Sequence, residues 1–479
     1  MDNPVLANLE PRSVFRFFEE LTRIPHESGN TAAASGWVED FAKVRGLPCR
    51  RDGLGNVVIW KDASPGYENH PPVMLQGHLD MVCVKDPDVS HDFLRDPLRL
   101  TVEDGWIRAL GTTLGGDDGA AVAMMMALLD DGGLAHPPIE AVFTVDEEVG
   151  LLGAAALDCS DLKSRLLINL DSEAEGVLTV GCAGGARCDL FLQVPREEAE
   201  GGLCTFSVTG LPGGHSGAEI HKNIANANRL LAQCLAELPG LRLVSLRGGL
   251  QDNAIPDRCQ AVLALPEDQA DAAAAKLTEV FQRERAAYAE APNAACSFAR
   301  AAHPAAAALS EADSRKVLDL ILSAPNGVQA MEPDLPGQVR TSLNLGIAEL
   351  EEGALHLTWS VRSSSAAEKD ALVERLRALT QQAGASFDIR GDYPAWEYRK
   401  DSQLRDVMVR VFREKYGREP VVETIHAGLE CGLLAGKLPG LDAVSIGPDM
   451  ADIHSPRERL NIASVERTWR YLLEVLAQL

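Results

Sequence analysis

VMLQGHLD, residues 73–80, is an apolar run of strand length that ends in a histidine and an acid. Two further runs share its form: IEAVFTVDEE at 139–148 ends in Glu147 and Glu148, and RLLINLD at 165–171 ends in Asp171. Short apolar runs without polar alternation read as strands buried on both faces, the habit of parallel sheets. In open sheets of that kind ligand sites form beyond the carboxyl ends of the strands, so residues scattered along the chain converge there. The three runs therefore predict an α/β domain on a mixed, largely parallel sheet with flanking helices, and a histidine–carboxylate site at one rim.

Outward from these runs, strand-like and helix-like segments alternate. NVVIW at 56–60 precedes the first run, and a helix-prone stretch from Gly119 to Asp131 separates the first from the second. A glycine cluster, GCAGGARCD at 181–189, marks a junction. Beyond it come amphipathic strands such as CTFSV (204–208) and LHLTWSV (355–361), each followed by a small-residue turn, LPGGHSG or RSSSAAE, and a helix. That pattern suggests two copies of an αβ unit. ETIHAGLECG at 423–432 and DIHSPRERL at 452–460 restore the loop-borne style of the first third. The expected organisation is a catalytic domain in two parts, 1–183 and 392–479, with an α+β lid domain inserted at 184–391.

Composition bounds the partners. A chain of 479 residues is long for one core, and 46% apolar with 24% charged residues is ordinary for a globular protein. The formal charge of −25, from 45 basic and 70 acidic side chains, disfavours nucleic acid and anionic membrane. MDNPVLANLEPRS at the start has neither a basic nor an apolar signal region, and the longest apolar run, GAAVAMMMALL at 119–129, is too short to span a bilayer. A cytoplasmic protein is expected. The ten cysteines form no CxxC pair, so they read as reduced, packed thiols, and any metal must rest on oxygen and nitrogen.

The candidate site has the chemistry of metal-assisted hydrolysis. Asp80, two residues after His78, is placed to accept the imidazole N–H that faces away from a metal. In GTTLGGDDG (111–119) two acids sit behind a double glycine where a helix begins, and its dipole favours their ionised form. One acid would serve as a helix cap. Two are more than a cap needs, and Asp117 is a candidate bridge between cations. Glu147 and Glu148 can divide the work, one holding a metal and the other serving as general base. Asp171 and the distant His454 complete a set of histidine and carboxylate ligands that suits zinc, manganese or cobalt.

The ordered set GHLDMV, GGDDG, DEEVG, the Leu-Asp ending at 171 and HSP at 454–456, with GGHSG between, resembles the di-zinc carnosinase/aminoacylase-type metallopeptidases. The likeness runs along essentially the whole chain. Within that family GTTLGGDDG, LPGGHSGAEIHK (211–222) and HAGLECG (426–432) resemble the aminoacyl-histidine dipeptidases, the group also called peptidase D or cytosol non-specific dipeptidases.

The resemblance implies two Zn2+ per chain, with Mn2+ or Co2+ as substitutes. His78 and Asp171 would hold one ion, Glu148 and His454 the other, and Asp117 would bridge them, with the peptide bond between Asp117 and Asp118 cis. Asp80 would orient His78, and Glu147 would be the base for the attacking water. His215, in GGHSG, resembles a lid histidine that stabilises the oxyanion. Arg362, in WSVRSSS, resembles the lid arginine that pairs with a substrate carboxylate, and a guanidinium fork suits that planar anion. Asn253 would assist, while Gly428 and Glu430 would line the pocket, with Glu430 a candidate to face the substrate ammonium. The implied partner is a small peptide, of which Xaa-His dipeptides are one class, and a homodimer is the default assembly. N-acyl-amino-acid deacylation, carboxypeptidase activity, or a catalytically inactive peptide binder are the competing readings.

Overall fold

Ile139–Thr144, Val73–His78, Leu166–Asn169 and Asp442–Ser445 lie side by side and parallel at the centre of an eight-stranded sheet. Cys49–Arg51 and Val57–Lys61 extend it antiparallel on one side, and Val177–Cys182 and Val421–Ile425 follow on the other. Every residue of Val73–His78 and Ile139–Thr144 is buried, which is why these strands carry no polar alternation. His78 stands opposite Thr144, and Gln76 opposite Asn169, so the carboxyl ends of the central strands are level.

Beneath Val73–His78 runs the helix Gly116–Asp130, apolar all round and buried along nearly its whole length, and the helix Arg12–Leu21 packs on it. Gly77 makes this possible, since a Cβ there would lie 2.5 Å from Asp118 Oδ2. A four-stranded sheet, Met450–Ala451, Arg459–Asn461, Trp106–Ala109 and Leu100–Glu103, carries the His454 loop between its first two strands.

The computed structural model describes residues 4–304 and 307–479, which form two compact units. One comprises Met1–Gly181, Tyr398–Thr424 and Leu429–Leu479; the other comprises Cys182–Glu397 and Ile425–Gly428. The chain thus leaves the second unit at Glu397 rather than at 391, and revisits it for the four-residue segment that contains His426 and Gly428.

The second unit is built on a nine-stranded antiparallel sheet. It contains two strand–helix–strand–strand–helix–strand repeats. One uses the strands Gly202–Thr209, Arg242–Gly248, Cys259–Leu265 and Ala295–Pro304; the other uses Gly184–Gln193, Val339–Glu351, Ala354–Ser363 and Ser386–Tyr393. In both the spatial order is fourth, first, third, second, and the two second strands pair with each other. CTFSV is therefore a first strand and LHLTWSV a third, so these two segments are not equivalent positions. The true counterpart of CTFSV lies in Gly184–Gln193, separated from the rest of its repeat by the whole first copy.

Candidate active site

Asp117 lies between two histidines. Its Oδ1 is 3.1 Å from His78 Nε2 and its Oδ2 is 3.2 Å from His454 Nε2. Glu148 Oε1 is 2.9 Å from the same His454 nitrogen. Asp117, Glu148 and His454 thus offer ligand atoms within 4.8 Å of one another, as do His78, Asp118 and Asp171, and His78, Glu147 and Glu148. The Asp117–Asp118 peptide is cis. His78 comes from a strand end, Asp117 and Asp118 from a helix N-terminus, and Glu147, Glu148 and Asp171 from the loops after the neighbouring strands. His454 is held at φ 57°, a left-handed conformation that non-glycine residues seldom adopt and that clusters at functional sites.

The donor set fits divalent cations. Burial and neighbouring carboxylates push Asp118 and Asp171 well above the ordinary carboxylate range, and push Glu147 up to about 8. Burial would lower His78, but hydrogen bonding to Asp117 and Asp80 holds it well above its ordinary value. Hydrogen bonds to Asp117 and Glu148 raise His454 to about 10. Asp118 Oδ1 is buried with no hydrogen-bond partner. Acids drawn together this closely against their mutual repulsion suit bound cations.

Asp80 meets His78 through two of its groups. The strand ends at His78, so Asp80 lies beyond the pleat, and it is the Asp80 backbone carbonyl that sits 2.9 Å from His78 Nδ1. The Asp80 carboxylate stays within ion-pair distance of that nitrogen, at 3.5 Å, and also accepts the backbone N–H groups of Glu147 (3.0 Å) and Glu148 (3.3 Å) and the Ser28 hydroxyl (2.7 Å). Burial opposes its ionisation, but His78, followed by the Ser28 and Glu147 bonds, brings it down to about 2. Its work is to fix the segment bearing the candidate base. Past Thr144 the chain leaves the strand, Asp146 takes φ 55°, and both glutamates gather near His78.

Glu430 is also placed differently from its expected position in a substrate pocket. It is fully buried and accepts from Thr144 Oγ1 (2.6 Å) and Gln76 Nε2 (2.5 Å), side chains that project from the central strands. Asn169 extends the network by donating to Gln76 (2.7 Å). This placement makes Glu430 a support beneath the strand ends, not a contact for a substrate ammonium; burial raises it to about 7.

Sequence reasoning missed Glu458, four residues past His454. Its buried carboxylate accepts the backbone N–H of Leu114 (2.7 Å), Gly115 (3.2 Å) and Gly116 (2.7 Å), and ties the His454 loop to the loop that carries Asp117. The signal was faint, an acid in a polar loop whose partners are main-chain groups. Glu458→Ala leaves those donors unpaired in a dry site and is expected to lower unfolding stability by about 3 kcal/mol. Thermal and denaturant unfolding of the variant measure this, and a loss under 1 kcal/mol would count against the anchoring role.

In the second unit, His215 follows Gly214 in a short bridge to Ala254–Ile255. Its Nδ1 accepts the N–H groups of Ala218 (3.1 Å) and Gly217 (3.3 Å), so the ring proton sits on Nε2, free to be donated. Burial and Arg362 lower its pKa, which keeps the ring neutral. Asn253 is exposed beside this bridge, and its backbone carbonyl accepts the Ser216 N–H (2.8 Å). Arg362 is 8% exposed, and Nη1 donates to the Tyr393 hydroxyl (3.3 Å) while Nε has no partner. His426 is held by Ser342 Oγ at 2.7 Å, and burial and Arg362 bring it down to about 3. Gly428 lies against the Tyr393 ring.

Convergent acids and histidines at the strand ends of an open α/β sheet, with a carboxylate between two histidines, define a metal-assisted hydrolase. Residues 74–478 match the model of peptidase family M20/M25/M40. The cytosol non-specific dipeptidase of Escherichia coli K12 is 37% identical over 483 residues, 99% of each chain. The aminoacylhistidine dipeptidase structure from Vibrio alginolyticus is 34% identical with a TM-score of 0.92, covering 99% of this chain and 98% of that one. An aminopeptidase PepT structure from Bacillus cereus, 17% identical with a TM-score of 0.57 and covering 98% and 99%, shares the fold. This chain belongs to peptidase family M20/M25/M40, and is a hydrolase acting on peptide bonds. Among the described residues no helix is long and apolar enough to cross a membrane.

Proposed function

We propose that this protein is a metal-dependent dipeptidase that hydrolyses the peptide bond of small dipeptides, Xaa-His among them. The observation that carries the chemistry is Asp117, with one carboxylate oxygen directed at each histidine. Full-length similarity to a chain named as a non-specific dipeptidase supports the substrate class. In this reading His78 and Asp171 would hold one ion, Glu148 and His454 the second, and Asp117 would contribute to both; zinc would suit the donors, with manganese or cobalt as substitutes. When bound, the ions polarise the substrate carbonyl and acidify water.

Glu147 takes a proton from the attacking water as its oxygen bonds to the carbonyl carbon. The same carboxyl then gives that proton to the leaving nitrogen as the C–N bond breaks. Asp80 keeps Glu147 in place through its backbone N–H. His215, with its proton on Nε2, is a donor for the developing oxyanion, and Arg362, assisted by Asn253, takes the substrate carboxylate. A cytoplasmic homodimer is the expected form, the location supported by the cytosol dipeptidase of E. coli and the assembly by its general frequency.

The test is a hydrolysis panel of dipeptides, tripeptides and N-acetyl amino acids on one sample with its metal content determined. Dipeptides are expected to be cleaved fastest. Preference for N-acetyl amino acids or for longer peptides would replace this reading with a deacylase or a carboxypeptidase, and a metal-loaded but inert sample with a binding protein.

A further inference from the structure

Arg362 is a buried cation that no carboxylate pairs with among the described residues, and the Tyr393 hydroxyl is the group that its Nη1 meets. A phenol that accepts an arginine N–H must point its own proton elsewhere, since the guanidinium has no acceptor to offer. Among the described residues no acceptor takes that proton.

The position of the hydroxyl is built into the fold. Arg362 stands opposite Gly185 in the sheet, and Gly185 in turn pairs with Tyr393, so the arginine and the tyrosine flank one glycine on adjacent strands. A Cβ at Gly185 would lie 2.6 Å from the Tyr393 hydroxyl, and one at Gly428 would lie 2.8 Å from its ring. Two glycines thus clear the space that the phenol occupies, one in the cluster at the domain junction and one in HAGLECG. Nearby His426 and His215 carry no charge at neutral pH, the first because burial and Arg362 hold it at about 3. The result is one buried positive charge with a neutral O–H donor beside it and, among the described residues, no carboxylate paired with either.

We propose that the Tyr393 hydroxyl is a specificity-determining donor that, with Arg362, receives the carboxylate of the substrate. This rests on the reading of Arg362 as the carboxylate partner. The donor adds a hydrogen bond to a charged acceptor in a desolvated place, where such bonds are strongest.

Tyr393→Phe keeps the ring among its glycines and removes only the donor. Steady-state kinetics on β-Ala-His and on its C-terminal amide are expected to show KM for the free acid raised about tenfold, kcat within about twofold, and the preference for acid over amide reduced about tenfold. An unchanged KM, or a rise equal for acid and amide, would overturn the proposal. Arg362→Ala separates the two levels of the argument. If it collapses the acid preference while Tyr393→Phe retains it, only the tyrosine assignment falls; if it leaves that preference intact, the carboxylate reading of Arg362 falls and the tyrosine assignment with it.

Discussion

Glu147→Gln is expected to lower turnover of dipeptides by about 10²–10⁴-fold while the metal content of the purified protein stays at the parent level. Glutamine has the size of glutamate and keeps the backbone N–H that Asp80 grips, but it has no oxygen that can take and return a proton. Loss of the proton shuttle affects the transition state and not the bound substrate, so the change should appear in kcat with KM close to the parent's. Turnover within tenfold of the parent, at equal metal content, would remove Glu147 from the role of base. Glu148→Gln is a useful contrast, because it alters a group 2.9 Å from His454 and is expected to cost metal as well as rate.

Metal removal carries the second large effect. Chelation is expected to abolish hydrolysis, with zinc, manganese or cobalt restoring it, and also to make stability depend steeply on pH. Glu147 holds its proton to about pH 8 in the folded chain against an ordinary 4.5, so between those values the folded state binds more protons than the unfolded one. Stability must then fall as pH rises through that window. His454 adds to the same trend: its contribution is complete below pH 6.5 and is lost as pH climbs to about 10. Asp80, brought down to about 2, contributes constantly throughout because its stabilisation is lost only in acid.

The chelated protein should therefore melt at progressively lower temperature from pH 5 to pH 9. The gain on adding zinc should grow over the same range, since deprotonated ligands bind metal. Calorimetry at several pH values with and without chelator checks both trends. A melting temperature of the chelated protein that is flat or rises with pH would contradict the reading of the cluster as mutually repelling acids.

Much of this site could be read from the chain because its parts announce themselves locally. An apolar run ending in histidine or acid, and two acids behind two glycines, are patterns within about ten residues. Other parts act through the main chain or across long separations. Glu458 binds a run of backbone N–H groups, and no side-chain pattern in the sequence marks a carboxylate whose partners are amides. Asp80 is legible as the partner of His78, but not its grip on the Glu147 and Glu148 amides, because where a strand stops pleating is not visible from spacing. Glu430 looked like a loop residue near a pocket, whereas Gln76 and Thr144 draw it under the sheet. The repeat in the second unit was visible as texture, but which strands correspond depends on sheet order, and the first strand of one copy is displaced from its partners by the whole of the other.

That displacement has a consequence for how the molecule is made. Strand Gly184–Gln193 pairs with Ala354–Ser363 and Ser386–Tyr393, so a chain emerging from the ribosome holds it unpaired until more than a hundred further residues have been added. The first copy, contiguous from Gly202 to Pro304, can condense in the meantime on shorter loops. The catalytic unit waits longer still, because Asp442–Ser445 pairs with Leu166–Asn169, and Arg459–Asn461, which flanks the loop bearing His454 and Glu458, pairs with Trp106–Ala109. Synthesis thus delivers His78, Asp117, Glu147, Glu148 and Asp171 early and withholds the sixth partner almost to the last. A nascent chain has acids that repel one another and no second histidine to set between them, and the capacity to cut peptides arrives only with the final segment.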